Sequence, residues 1–169
     1  MAPDANPPTN RGAAADEARL TAVAAELADR VEAVVPGWIE RLVVTRVQQW
    51  SGHVSPEVAA EAVTAGEAAR DEVVPRMRRL LGADIDDQAA NPLELLRRAT
   101  RHAHDALARI GVPSVVRDDF ARRSFPDDAY DLMPATWSDI HPHLHEIGLT
   151  WGAAKAFVHK ARRRAEGRT

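Results

Sequence analysis

The sequence predicts an all-α protein, a bundle of about four longer helices followed by a small C-terminal helical subdomain. Three observations predict it. Apolar residues make up 45% of the 169-residue chain, and much of that fraction is alanine, the best helix former. Apolar side chains recur at steps of three and four along several long segments. No segment alternates apolar and polar residues over the length of a strand, so no sheet of three or more strands is expected. The length fits one domain with at most a small appendage.

Residues 1–13 are rich in Pro, Asn and Ala without periodicity and read as a disordered tail. The bundle is expected over 14–111. Its first helix runs from about Ala14 to Val35, with Leu20, Val23, Leu27, Val31 and Val34 on one face. Asp16 and Glu17 suit its first turn, and Glu26 can pair with Arg30. Pro36-Gly37 is expected to end or kink it. A second helix follows to Trp50, apolar over a wide arc.

The third helix opens at Ser55-Pro56-Glu57, a capping hydroxyl followed by proline at the first helical position. Ala59, Ala62, Ala65, Gly66 and Ala69 form a small-residue surface for close packing. Pro75 should kink or break this helix, and Gly82 stops it. The acidic loop at 83–91 does not match a calcium loop, since Ala89 and Leu95 stand where glycine and glutamate are needed.

The fourth helix has the clearest cap, Asn91-Pro92-Leu93-Glu94. Leu93, Leu96, Thr100, Ala103, Leu107 and Ile110 then form a core stripe, and Glu94–Arg98, Arg101–Asp105 and Asp105–Arg109 are spaced for pairs on the wet face. Gly111 and Pro113 end it. Residues 112–135 read as an ordered irregular loop. The C-terminal subdomain, 136–169, holds one helix from Thr136-Trp-Ser-Asp139, re-set at Pro142. Another runs from Thr150 to about Ala165, with Trp151, Ala154, Val158 and Ala161 inward.

The formal charge of −3 gives no strong overall attraction for nucleic acid or anionic membrane. The distribution is uneven. Residues 1–91 carry 9 basic and 15 acidic side chains, whereas 92–169 carry 13 and 10 and end in a basic tail. The absence of Cys excludes disulfides, thiolate metal sites and Cys nucleophiles. No run approaches the length of a membrane span, and the N-terminus lacks the basic and apolar regions of a leader, so a cytoplasmic location is expected. Arginine far outnumbers lysine, which with abundant alanine points to a GC-rich bacterial genome.

No nucleophile elbow, phosphate-cradling loop or dinucleotide fingerprint is present, and the carboxylates are accounted for by caps, helix pairs and loops. No catalytic residue and no cofactor is assigned. His141 and His145 would stand one turn apart on a helix beginning at Pro142, a spacing that lets two imidazoles share a metal. No third ligand accompanies them, because Glu146 points elsewhere and His102 and His104 face nearly opposite sides of their helix.

The segment Gly148-Leu149-Thr150-Trp151-Gly152-Ala-Ala-Lys155-Ala-Phe-Val158-His159-Lys160-Ala161-Arg162-Arg163-Arg164 resembles the turn and recognition helix of the region-four helix-turn-helix of extracytoplasmic-function sigma factors. The glycine, the capping Thr150, Lys155 and the basic end carry the resemblance, which covers about a tenth of the chain. His143 stands where that family has an apolar residue, and Pro142 interrupts the preceding helix. The resemblance implies that Lys155 and His159 would face base edges while Lys160, Arg162, Arg163 and Arg164 meet phosphates.

The leading expectation is therefore a non-catalytic bacterial helical regulatory or adaptor protein that acts by binding another macromolecule, with another protein expected ahead of DNA. The alternatives are a DNA-binding regulator using 148–164 and a metal-dependent enzyme using His141 and His145.

Overall fold

The computed structural model describes residues 10–83, 91–113, 134 and 136–167. Among these the protein is an all-α bundle without strands. The helices are α1 (Asn10–Ser51), α2 (Pro56–Leu81), α3 (Pro92–Ala99), α4 (Arg101–Ile110), α5 (Trp137–Ile140) and α6 (His145–Ala165), with a 3-10 turn at Pro142–Leu144 before α6. Each long element returns along its neighbour. Arg78 on α2 reaches Asp29 and Glu32 on α1, Arg109 on α4 reaches Glu61 on α2, and Arg162 on α6 reaches Glu17 on α1.

The two helices expected at 14–35 and 37–50 are a single helix of 42 residues with Pro36 inside it. A proline in a helix interior costs about 3 kcal/mol. Val31, Val35, Trp38 and Ile39 are buried on either side of it, and each such side chain contributes about 1.5–3 kcal/mol. Breaking the helix would take several of them out of the core, so packing overrides the local signal. The same holds for Pro75, which lies inside an unbroken α2 above buried Val73, Val74 and Met77. Helix α1 also begins at Asn10, inside the expected 1–13 tail, because the alanine-rich start extends the helix backward. The rest of that tail, most of the acidic loop and nearly all of the 112–135 loop lie outside the described residues.

Gly66 marks the closest approach of α1 and α2. A Cβ there would lie 2.5 Å from the Pro36 carbonyl oxygen and 3.0 Å from its carbon. The small-residue surface read from the sequence is thus a helix–helix contact, with Ala62, Ala65 and Ala69 buried along it.

The predicted fourth helix is divided at Thr100 into α3 and α4. The buried Thr100 hydroxyl donates to the Arg97 carbonyl at 2.7 Å, and its amide also turns to Arg97 at 3.2 Å. This tightens one turn without changing the face presented, and Leu96, Thr100, Ala103 and Leu107 are all buried. Asn91 caps α3 by accepting from the Leu93 amide at 3.0 Å. Ser55 caps α2 by accepting from the Val58 amide. At α5 the Thr136 amide donates to Asp139 at 2.8 Å. Trp137, Ile140, Leu144, Ile147 and Trp151 join the same buried cluster as α1–α4.

The arginines of α4 do not follow the spacing expected of them. Arg101 pairs with Glu72, and Arg109 with Glu61, both on α2. Glu72 also accepts from Arg76 at 2.9 Å and meets His102 Nε2 at 2.8 Å. Burial pushes the Glu72 carboxyl up, but its hydrogen bonds from His102 and Arg101 and the nearby guanidinium charges outweigh that and hold it below its ordinary value.

His104, two residues on, is half-buried, and its Nε2 has no hydrogen-bond partner among the described residues. Burial lowers its pKa below the ordinary 6.5, against a smaller opposing pull from Asp105. The unfolded chain therefore takes up this proton first as pH falls. Stability associated with neutral His104 is present above about 6.5 and is lost as pH falls through the lowered folded value. His104→Gln is expected to flatten the decline of the urea midpoint between pH 7.5 and 5.5. An unchanged decline would show that His104 does not titrate differently on folding. The Glu72 contribution lies in a lower window, since it is lost only as pH falls below its unfolded value of about 4.5.

Candidate binding site

The C-terminal helix has two apolar faces. The inner face, Ile147, Gly148, Trp151 and Val158, is buried, mostly against α1. The outer face carries Leu149 and Phe157, which are 58% and 60% exposed. A long helix with a second apolar stripe is half-partnered.

Helix α6 begins at His145, not Thr150, and Gly148 lies inside it rather than in a turn. Its position is set by Trp137, because a Cβ on Gly148 would come within 2.5 Å of the indole Cδ1 and 2.6 Å of Cδ2. The glycine is there because an aromatic ring lies on the helix backbone. Thr150 caps nothing, and its hydroxyl donates to the Glu146 carbonyl at 2.8 Å one turn back. Gly148 and Thr150 thus both lie within α6 and not in a turn ahead of it.

The basic residues of α6 divide between the two sides. The Lys155 ammonium sits 5.4 Å from the Trp151 ring centre, a cation–π contact that folds it toward the bundle. His159 is half-buried. Arg162 pairs with Glu17, its Nη2 at 2.9 Å and its Nε at 3.0 Å. Lys160, Arg163 and Arg164 face solvent. The structure therefore does not bring Lys155, His159 and Arg162 onto one outward reading edge.

His141 and His145 are separated by the 3-10 turn. His141 Nδ1 accepts from the His143 amide at 3.2 Å, and its ring meets that of His143 edge-on at 4.7 Å between centroids. His145 Nδ1 is 2.8 Å from the Ser138 hydroxyl. One nitrogen of each ring is thus engaged locally, in two different arrangements. Among the described residues no group of three or more His, Asp or Glu side chains is placed to hold a metal ion.

The feature that sequence reasoning missed is a cleft of about 430 Å³ where α1, the end of α2 and the end of α6 converge. Its apolar wall is Leu20, Ala24, Ala28, Leu81 and Val158. Among the described residues the opening exists because α1 presents alanines just where α2 stops at Gly82, so no large side chain of these fills the space. Two guanidiniums stand at the cleft. Arg78 is held by Asp29 at 2.7 Å and Glu32 at 2.6 Å, and Arg162 by Glu17. Apolar walls bounded by ion pairs can take an apolar group that meets polar neighbours at its edge. The run of alanines was legible in sequence, but their meeting with Arg78 and Arg162 depends on the fold.

Of the tryptophans, Trp38, Trp137 and Trp151 are buried anchors, while Trp50 is 58% exposed near the end of α1. No described helix is long and apolar enough to cross a membrane. No family model matches the chain, and neither does any curated protein or solved structure.

Proposed function

We propose that this chain is a non-catalytic helical adaptor or regulatory protein of bacterial origin. It takes up a segment of a partner protein in the cleft between α1, α2 and α6. The cleft itself carries the reading, with apolar walls of suitable size bordered by the ion pairs of Arg78 and Arg162. The segment that fits presents apolar side chains toward Leu20, Ala24 and Leu81, between the ion pairs of Arg78 with Asp29 and Glu32 and of Arg162 with Glu17. The arginine-rich, alanine-rich composition supports the bacterial assignment.

Ala25 lines the cleft from an exposed position, so Ala25→Trp fills it without entering the core. Immobilised parent protein is expected to retain a partner from extract that Ala25→Trp loses. Retention unchanged by this substitution would remove the cleft as the working site.

DNA binding is the second reading, favoured by the three exposed cations Lys160, Arg163 and Arg164. With Arg162 engaged by Glu17, up to three phosphate contacts remain, so log K should fall with log salt at a slope near about −3. No binding to duplex DNA at low salt is the expected result. Binding that disappears when all three are changed to Ala would replace the adaptor reading with this one.

A further inference from the structure

We propose that two copies of this chain associate through the outer faces of α6, paired antiparallel about a two-fold axis passing beside Ala153. Leu149, Ala153 and Ala156 repeat at steps of four and three along the exposed side, with Phe157 beside them. This is the spacing of a helix–helix seam, and the two alanines let a second helix approach closely. Leu149 and Ala153 border the start of α3 at Pro92 and Leu93 on one side, and with Ala156 and Phe157 they stay exposed on the other.

The residues themselves select the occupant and the direction. Leu149 and Phe157 each lie four residues from Ala153, on opposite sides of it. Glu146 and Lys160 each lie seven residues from it, again on opposite sides. A two-fold axis at Ala153 therefore sets Leu149 of one copy against Phe157 of the other. The same axis sets Glu146 of one copy against Lys160 of the other, twice. Neither Glu146 nor Lys160 makes an ion pair within the chain among the described residues. A parallel arrangement would instead put Glu146 against Glu146 and bring Lys160, Arg163 and Arg164 together, a repulsive pairing. Antiparallel packing also sets the positive N-terminal end of one helix dipole beside the negative C-terminal end of the other. An isologous contact of this kind closes on itself and stops at the dimer.

The absence of cysteine makes a direct test available, because any introduced thiol is the only one. In the proposed pairing Ala153 faces its own copy, so Ala153→Cys is expected to form an intermolecular disulfide under mild oxidation. Leu149 lies eight residues from Phe157, so two copies of Leu149→Cys would be about 12 Å apart along the axis at about 1.5 Å per residue, beyond disulfide reach. Sedimentation equilibrium of the full chain is expected to show reversible, concentration-dependent growth from 18.5 kDa toward a doubled mass. Phe157→Lys should weaken this at least about tenfold. Glu146→Lys should weaken it too, and adding Lys160→Glu should restore it. Circular dichroism of each variant checks that it is folded. The proposal is overturned by a monomer at every concentration up to the millimolar range. It is equally overturned by a dimer indifferent to Phe157→Lys, or by Leu149→Cys crosslinking as readily as Ala153→Cys.

Discussion

Gly66→Ala is expected to destabilise the protein by about 3 kcal/mol, at the upper end of what overpacking costs. Helix propensity predicts the opposite sign, since alanine in a helix interior is favoured over glycine by about 1 kcal/mol. Sterics decide the outcome. The added Cβ would lie 2.5 Å from the Pro36 carbonyl oxygen, 3.0 Å from its carbon and 3.1 Å from its Cα. All three are backbone atoms of a long helix anchored by Val31, Val35, Trp38 and Ile39, so the neighbour cannot move aside without disturbing the core. For a chain of this size the loss corresponds to a fall in Tm of about 6–12 °C, at about 2–4 °C per kcal/mol. Gly37→Ala provides the control on the same turn of α1. Its nearest neighbour across the packing would be the flexible Arg41 guanidinium at 3.7 Å, so it should gain about 0.4–1 kcal/mol. Urea unfolding of the two variants side by side is the measurement. A Gly66→Ala protein as stable as the parent would mean that α1 and α2 do not meet at this point.

Gly148→Ala is expected to cost about 2–3 kcal/mol and to expel an indole from the core. Trp137 is buried, and its ring lies across the α6 backbone where the new methyl would stand. Emission dominated by buried tryptophans should shift to longer wavelength as Trp137 becomes wet. The decisive readout is coupling. In Trp137→Leu the obstruction is smaller, so Gly148→Ala should cost less in that background, with an interaction energy of about 1 kcal/mol or more. A glycine needed for a turn would show the same penalty in both backgrounds. Additive effects would therefore mean that the Trp137 ring does not meet Gly148.

The readings that held in the candidate site were local ones. The inward residues Trp151 and Val158 follow from periodicity along one helix, and both are buried. The basic end of α6 was equally legible, but its sorting was not. Arg162 turns to Glu17, which is 145 residues away in sequence, and Lys155 turns to Trp151. Lys160, Arg163 and Arg164 are left outside. Which cations face out depends on which side of α6 meets α1, and both sides of this helix are apolar.

Local sequence rules were enough for the all-α class, the caps at Ser55 and Asn91, the core stripe of Leu96, Thr100, Ala103 and Leu107, and the re-set at Pro142. Each depends on interactions within about one or two turns, where hydrogen-bonding and spacing rules act without reference to the rest of the chain. Tertiary structure alone decided that Pro36 and Pro75 stay inside helices, because buried side chains on both sides outweigh a local penalty of about 3 kcal/mol. It decided that Arg101 and Arg109 pair across to Glu72 and Glu61 instead of along their own helix. It made Pro36 the residue that meets Gly66 and Trp137 the one that meets Gly148, and it opened the cleft between α1, α2 and α6. These outcomes share one cause. Each compares a short-range preference of at most a few kcal/mol with the burial of groups brought together from distant parts of the chain, and that second quantity exists only once the helices have packed.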